Sequence, residues 1–223
     1  MRINKYVALA TGMSRRAADA AIAEGRVLVN AQAPQAGQDI KDGDSVTLDN
    51  VAISTDVNTV TIMLNKPAGY VVSRDGQGSQ TIYDLLPPEL HHLKPIGRLD
   101  KDSSGLLLLT NDGTLAHQLT HPSFQKTKVY EVELDKPLAP LHRQMISDHG
   151  IELEDGNSKL QLERLKEGDD KKWKVLMHEG RNRQIRRTFA ALGYKVEKLH
   201  RTHFERYTLG SLLSGLYRNI IEN

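Results

Sequence analysis

The sequence predicts an α+β protein in two parts, a small N-terminal α/β unit and a larger, mixed domain built mainly of antiparallel strands. First, an amphipathic helix and two short strands fall within the first 50 residues. Second, a polar stretch without hydrophobic periodicity follows them. Third, the remainder contains strand-like segments separated by turns and a few helices. We therefore predict a unit over residues 1–52, a linker over 53–59 and a larger domain over 60–223.

The N-terminal unit has clear helix signals. Ser14 can cap a helix over 15–24, and Gly25 can end it in the left-handed conformation. Short strands are predicted over 26–30 and 45–48. Four cations collect near one end of this helical region, namely Arg2, Lys5, Arg15 and Arg16.

The larger domain has its strongest signal in the run of four leucines at 106–109, which is typical of a strand buried on both faces. The tight-turn residues 111–113 close that run. The other predicted strands cover 60–66, 70–72, 126–134, 159–165, 173–177, 195–199 and 204–209. Helices are predicted over 81–86, 115–119, 141–149 and 182–192, and a polar loop over 73–80.

Composition excludes several classes of protein. The 223 residues contain no cysteine, which rules out disulfides, thiolate catalysis and cysteine-ligated zinc. No apolar run approaches the roughly 20 residues that cross a bilayer, and the first residues lack the apolar core of a secretion signal. We therefore expect a cytoplasmic, soluble protein without a membrane partner.

The net charge of +2 is unevenly distributed. Residues 171–206 contain eleven Lys and Arg against three Glu, and residues 1–26 contain five against two acids. Two basic blocks on an acidic remainder indicate a surface that binds a polyanion such as a nucleic acid, although basic runs also occur as plain solvated faces.

The turn before the leucine run contains the first candidate catalytic residue. Asp100 lies in the segment 97–105, directly before the buried strand, so its carboxylate would be held rigidly. An isolated Asp in such a turn is more often only a turn residue. Asp100 and Asp102 could also be the paired carboxylates of a glycosidase, but their basic surroundings suit a polyanion better than a neutral sugar.

Motifs at several positions favour a catalytic role for Asp100. Segments 2–6, 14–18 and 25–30 resemble an S4 domain, a small RNA-binding module. Segments 66–69, 98–100, 128–130 and 179–187 resemble, in the expected order, the RNA pseudouridine synthases that modify one uridine of ribosomal RNA. Together these motifs span nearly the whole chain.

The resemblance implies specific catalytic roles. Asp100 would be the catalytic carboxylate that helps to break the C1′–N1 bond of uridine, either by attack on C1′ or by removal of the C2′ proton. Arg186 would pair with Asp100 and keep it ionised and oriented. Tyr130 would lie on the uracil ring and assist the late proton transfer from C5. Lys66 and Ile185 would belong to the substrate pocket.

The resemblance also implies how RNA is bound. Arg98 would contact a phosphate or help to expel the target base from its stack. Further candidates for backbone contacts are Arg2, Lys5, Arg15, Arg16, Arg181, Arg183, Arg187, Lys195, Lys198 and Arg201. For each of the six candidates between 181 and 201, a solvated surface charge is an equally good interpretation.

The expected substrate is a uridine of large-subunit (23S) ribosomal RNA, with the small-subunit (16S) RNA as the alternative. A non-catalytic ribosome-assembly factor on the same fold is the competing function. We expect a monomer that acts on ribosomal RNA or an assembly intermediate without a cofactor. His117 and His121 have the spacing of a helical metal pair, but they lack an evident third ligand, so no metal site is predicted.

Overall fold

The computed structural model describes residues 1–55, 59–121 and 126–221. The first 55 residues form two helices packed on a three-stranded antiparallel sheet. Its elements are α1 (Ile3–Thr11), α2 (Arg15–Ala23), β1 (Val27–Val29), β2 (Val46–Leu48) and β3 (Val51–Ile53).

Helix α2 begins where the sequence predicted, because the Ser14 hydroxyl accepts a hydrogen bond from the Ala17 N–H at 3.0 Å. The unit has its own apolar core, formed by Ile3, Val7, Ala18, Ala21, Val27, Val29, Ile40 and Val46. Strand β3 reaches Ile53, the residue at which the predicted linker starts, and residues 56–58 of that linker lie outside the described ranges.

The larger part is organised around one sheet. Its helices and strands are β4 (Thr61–Lys66), β5 (Lys94–Pro95), β6 (Ser104–Thr110), α3 (Gly113–Thr120), β7 (Lys128–Leu134), α4 (Pro140–Gln144), β8 (Ile151–Leu153), β9 (Gly156–Ser158), β10 (Gln161–Arg164), β11 (Lys172–Met177), α5 (Gln184–Ala191), β12 (Val196–Phe204), β13 (Tyr207–Thr208) and β14 (Tyr217–Ile220). Short 3₁₀ turns cover Ile82–Leu85 and Pro88–Leu90, and a π-helical turn covers Met145–His149.

The strand order across this sheet is β10-β11-β7-β12-β6-β4-β14, with β5 and β13 added at its margins. Strands β6 and β12 run parallel, whereas the other recorded pairs in this sheet are antiparallel. This arrangement confirms the predicted α+β class with a mixed, mainly antiparallel sheet.

Strand β6 is buried on both faces. Leu107 and Leu109 pack into an apolar core with Ile62 and Val132 on one side of the sheet. Leu106 and Leu108 pack into a second core on the other side. All four leucines are 0% exposed. Because the strand alternates between two cores, it needs the continuous apolar run that the sequence contains.

Several predicted elements differ in the structure. Residues 70–72 form an isolated bridge through Val71 to Thr81 instead of a strand. The two strands predicted over 195–199 and 204–209 become the single long strand β12 followed by β13. The β8–β9 hairpin and the edge strand β14 were not predicted. Their short, mostly polar segments have no clear period, so only their partners define them.

The two parts touch through a hydrogen bond that the Lys94 ammonium donates to the Met13 carbonyl at 3.0 Å. Among the described residues, no helix combines the length and hydropathy needed to cross a bilayer.

Candidate active site

A buried lysine binds the backbone of the turn that contains Asp100. Lys66, at the end of β4, is 0% exposed. Its ammonium donates hydrogen bonds to the carbonyls of Asp100 at 3.1 Å and Ser103 at 2.6 Å, and also to those of Pro67 and Lys101. Burial lowers the pKa of Lys66 to about 8, although the carboxylates of Asp102 and Asp100 partly oppose this shift.

This geometry corrects the prediction that Lys66 belongs to the substrate pocket. A side chain with no exposed surface and four carbonyl partners cannot reach a ligand in this conformation. Lys66 instead positions the turn over residues 100–103. Gly69 adds to this support, because its N–H donates to the Lys101 carbonyl at 2.7 Å. The segment 66–69 therefore acts on the site through the Asp100 backbone.

Asp100 itself faces a large cleft. The preceding residue, Leu99, is 7% exposed and anchors the turn in the main core. The Asp100 side chain is 31% exposed, and its Oδ2 lies 3.5 Å from Nη1 of Arg183. A carboxylate that is anchored by its backbone, partly open to the cleft and beside a cation can act on a bound ligand as a nucleophile or base.

Asp102 binds two arginines at the same turn. Its carboxylate accepts two hydrogen bonds from Arg183, at 2.9 and 3.0 Å, and lies 3.3 Å from Nε of Arg186. Bonding to Arg183, followed by the nearby charge of Arg186, holds the pKa of Asp102 below its ordinary value. Asp102 lies two residues after Asp100. The resemblance to the pseudouridine synthases assigned no role to it.

The predicted ion pair between Asp100 and Arg186 is therefore wrong in detail. Arg186 pairs with the Asp102 carboxylate, and its guanidinium also donates to the carbonyls of Val196 at 2.8 Å and Asp102 at 2.9 Å. Arg183 is the cation beside the Asp100 carboxylate. Arg183 immediately precedes α5 in the left-handed region, with φ 47°, and the packing of α5 beside the turn brings its side chain to the carboxylates.

Tyr130 and Ile185 line the same cleft as Asp100. Tyr130 lies in β7 and is 8% exposed, and Ile185 lies in the first turn of α5 and is 4% exposed. The cleft has a volume of about 980 Å³. The structure thus brings an aromatic ring, an aliphatic side chain and a carboxylate together around a space large enough for a nucleoside.

The predicted RNA contacts on and before α5 differ in what they bind. Arg98 and Arg183 line the cleft, as does Arg181. The guanidinium groups of Arg181 and Arg187 both bind the Asp155 carboxylate, at 3.0 Å and 2.6 Å, and Arg181 also donates to carbonyls of the β8–β9 hairpin. Arg181 and Arg187 therefore join α5 and the segment before it to this hairpin.

Most of the remaining predicted RNA contacts lie away from the Asp100 turn, and one lies inside the cleft. Arg2, Arg15 and Arg16 are exposed on the N-terminal unit, and Lys5 is half-buried. Lys198 binds Glu133 at 2.8 Å and Lys195 is exposed, whereas Arg201 is only 3% exposed and lies within the cleft.

The imidazole rings of His117 and His121 lie 4.8 Å apart in α3 and at its end. Within residues 1–55, 59–121 and 126–221, no group of three or more potential ligands could hold a metal ion.

Comparison with known proteins shows which family this chain resembles. The family model described as RNA pseudouridylate synthase matches residues 60–191. Ribosomal large subunit pseudouridine synthase B of Bacillus subtilis is 35% identical over 225 residues, which cover 98% of this chain and 91% of that protein. The protein of the same name from Xanthomonas campestris is 36% identical over 222 residues, and the match spans 93% of this chain but only 44% of that relative.

A solved structure agrees with these relatives. A crystal structure of a pseudouridylate synthase is 32% identical and superposes with a TM-score of 0.70, covering 99% of this chain and 96% of that one. Its fold therefore extends over the N-terminal unit as well as the central sheet. With the family model matching more than half of its length, this chain belongs to the RNA pseudouridine synthase family.

Proposed function

We propose that this protein converts one uridine of ribosomal RNA, preferably in the large subunit, to pseudouridine, with Asp100 as the catalytic carboxylate. The observation that carries the proposal is the Asp100 turn itself. Its carboxylate opens into a cleft of about 980 Å³ and lies beside Arg183, and Tyr130 and Ile185 line the same cleft. The preference for large-subunit RNA rests on the names of relatives such as the Bacillus subtilis enzyme.

The proposed reaction begins when the target uridine leaves its stack and enters the cleft, with Arg98 beside the path of the base. Asp100 then assists cleavage of the C1′–N1 bond, either by attack on C1′ or by removal of the C2′ proton. The freed uracil rotates between Tyr130 and Ile185 and rejoins the sugar through C5. Formation of the C5–C1′ bond displaces Asp100 from C1′ in the first route, and in the second route it is accompanied by return of the C2′ proton. The C5 proton is then removed with the assistance of Tyr130, and N1 takes up a proton. The product is an isomer of the substrate, so the reaction requires no cofactor.

The roles of the cations differ in this proposal. Arg183 lies beside the Asp100 carboxylate and orients it directly, and Arg186 acts through Asp102. The N-terminal unit serves as an S4-like module that docks on structured RNA through its exposed arginines and Lys5. We expect a monomer that acts in the cytoplasm on ribosomal RNA or an assembly intermediate.

The test is the substitution Asp100→Asn, combined with mapping of pseudouridine in ribosomal RNA. Wild-type protein supplied to cells that lack it should restore one pseudouridine, and Asp100→Asn should lower the rate on that RNA at least about 10⁴-fold, because the carboxylate performs the chemistry. RNA affinity should persist in the variant. Modification at the parental rate by Asp100→Asn would overturn the catalytic assignment, and wild-type protein that binds RNA but forms no pseudouridine would favour an assembly factor.

A further inference from the structure

Two cations in the cleft have no role in the chemistry described above. Lys128 and Arg201 line the same cleft as Asp100 and Tyr130. Arg201 is 3% exposed, and its Nε donates to the Leu106 carbonyl at 2.8 Å. Its Nη2 is buried and has no hydrogen-bond partner among the described residues. A buried donor left unpaired is costly, so this nitrogen indicates an acceptor that a ligand supplies.

The sheet places these two cations beside the proposed uracil site. Arg201 in β12 lies directly opposite Tyr130 in β7, and Lys128 lies two residues before Tyr130. A shift of register between Arg201 and His203 brings Phe204 beside Arg201. The Phe204 ring centroid lies 5.1 Å from the Arg201 guanidinium and 5.8 Å from the Lys128 ammonium. The Phe204 ring therefore makes a cation–π contact with both charged groups.

The charges of Lys128 and Arg201 are not matched by a directly bonded carboxylate in the described residues. The Lys128 ammonium donates to the carbonyls of Lys126 and Glu179. The Glu179 carboxylate binds Arg181 and Gln184, and the Glu205 carboxylate binds Lys126 and the Thr127 N–H.

The net result is a positive potential inside the cleft. Burial and, after it, the charge of Arg201 lower the pKa of Lys128, although Glu205 and Glu179 oppose the shift. Two like charges held together in a partly desolvated space favour an anion that lies between them and offsets their mutual repulsion.

We propose that Lys128 and Arg201 form an anion subsite that binds one phosphate group of the RNA strand beside the target uridine. This inference rests on the proposed function, because it takes RNA as the ligand. The Arg201 Nη2 donates one hydrogen bond to the phosphate, and the Lys128 ammonium supplies the second charge. Two residues of β7 span about 7 Å, so the subsite lies one nucleotide's reach from Tyr130. A phosphate fixed there sets the depth to which the flipped nucleotide enters.

The first test is Lys128→Met, assayed on the synthetic ribosomal RNA stem-loop in which the wild-type protein forms pseudouridine. We expect binding about tenfold weaker, and a slope of log affinity against log salt smaller by about 1, because one phosphate contact is lost. The matched control is Lys174→Met. Lys174 lies on β11 and binds Glu163 at 2.9 Å, and it does not line the cleft, so both quantities should stay at wild-type values.

The second test removes the charge from the RNA. Each phosphate next to the target uridine is replaced in turn by a neutral methylphosphonate. At one position the wild-type protein should lose at least about tenfold in affinity, and Lys128→Met should lose clearly less there, because it already lacks one of the two cations that contact this phosphate. Arg201→Lys, which keeps the charge, should show a smaller loss than Lys128→Met.

The outcomes separate the two proposals. If Lys128→Met melts like the wild type and keeps both the full salt slope and the full methylphosphonate effect, the subsite is wrong, even though the wild type still forms pseudouridine. If the wild type forms no pseudouridine in any ribosomal RNA, the proposed function fails first. If Arg201→Lys does not fold, Lys128→Met and the modified RNA still decide.

Discussion

At the residue scale, Asp102 joins the two halves of the candidate site. It contributes one carboxylate to two arginines that approach from the start of α5, more than 80 residues away in the chain. Each arginine would otherwise face the other across a half-buried space. Asp102 thus separates the two guanidinium groups and leaves only one of them, that of Arg183, beside the Asp100 carboxylate.

We expect Asp102→Asn to lower the turnover rate about 10- to 100-fold, far less than the loss of at least about 10⁴-fold expected for Asp100→Asn. The amide removes the charge that holds both arginines, so Arg183 moves onto Asp100 and makes that carboxylate a weaker nucleophile or base. Single-turnover kinetics at saturating RNA measures this effect. Asp148→Asn, at an exposed position of the π-helical turn, is the matched control and should retain the wild-type rate. A wild-type turnover rate in Asp102→Asn would show that Asp102 has no role in the reaction.

At the element scale, the parallel contact between β6 and β12 depends on one glycine. Gly105 has φ 104° and pairs with Arg201. A Cβ at Gly105 would lie 2.3 Å from the Arg201 carbonyl oxygen. The close approach allows Arg201, Tyr130 and the Asp100 turn to share one cleft. Local propensity does not predict such a contact, because it depends on a strand almost 100 residues away.

We expect Gly105→Ala to lower the free energy of unfolding by about 2–4 kcal/mol, since the new methyl group meets backbone and the residue must keep a positive φ. Urea denaturation measures this loss. Gly113→Ala is the matched control, because Gly113 is the first residue of α3 and a Cβ there meets nothing within 4 Å. That substitution should be neutral or stabilising by up to about 1 kcal/mol. Equal effects of the two substitutions would contradict the role given to the β6–β12 contact.

At the scale of the whole molecule, two separately packed cores flank the central sheet and a third fills the N-terminal unit. The candidate site lies at an edge of the main core, where charged side chains stand next to its apolar residues. Lys66 is the deepest of these charges, and its burial makes the stability of the entire chain depend on pH.

We expect Lys66 to titrate near pH 8, which its side-chain carbon resonances can report by NMR. Because its pKa is lowered in the folded state, the unfolded chain binds more protons between about pH 8 and 10.5. The Lys66 contribution to the free energy of unfolding therefore rises with pH in that window. Lys66→Met should remove this contribution. A Lys66 that titrates above pH 10 would contradict the desolvated environment described for it.

Much of the fold was predictable, because its signals are local. The Ser14 cap fixes the start of α2, and the leucines at 106–109, closed by turn residues, are typical of a strand buried on both faces. The β8–β9 hairpin was not predictable, since its residues have no period of their own and it is held by Arg181 and Arg187 from another part of the chain.

The sequence alone determined the chemistry that is available: the family motifs, the carboxylate at Asp100, the aromatic ring at Tyr130 and the arginines around α5. Only the tertiary structure decided which groups meet. It paired Arg186 with Asp102, put Arg183 beside Asp100, buried Lys66 under the turn and set Lys128 next to Arg201. The physical reason is that caps, turns and periodicity act over a few residues, whereas these contacts depend on how distant strands and α5 pack together.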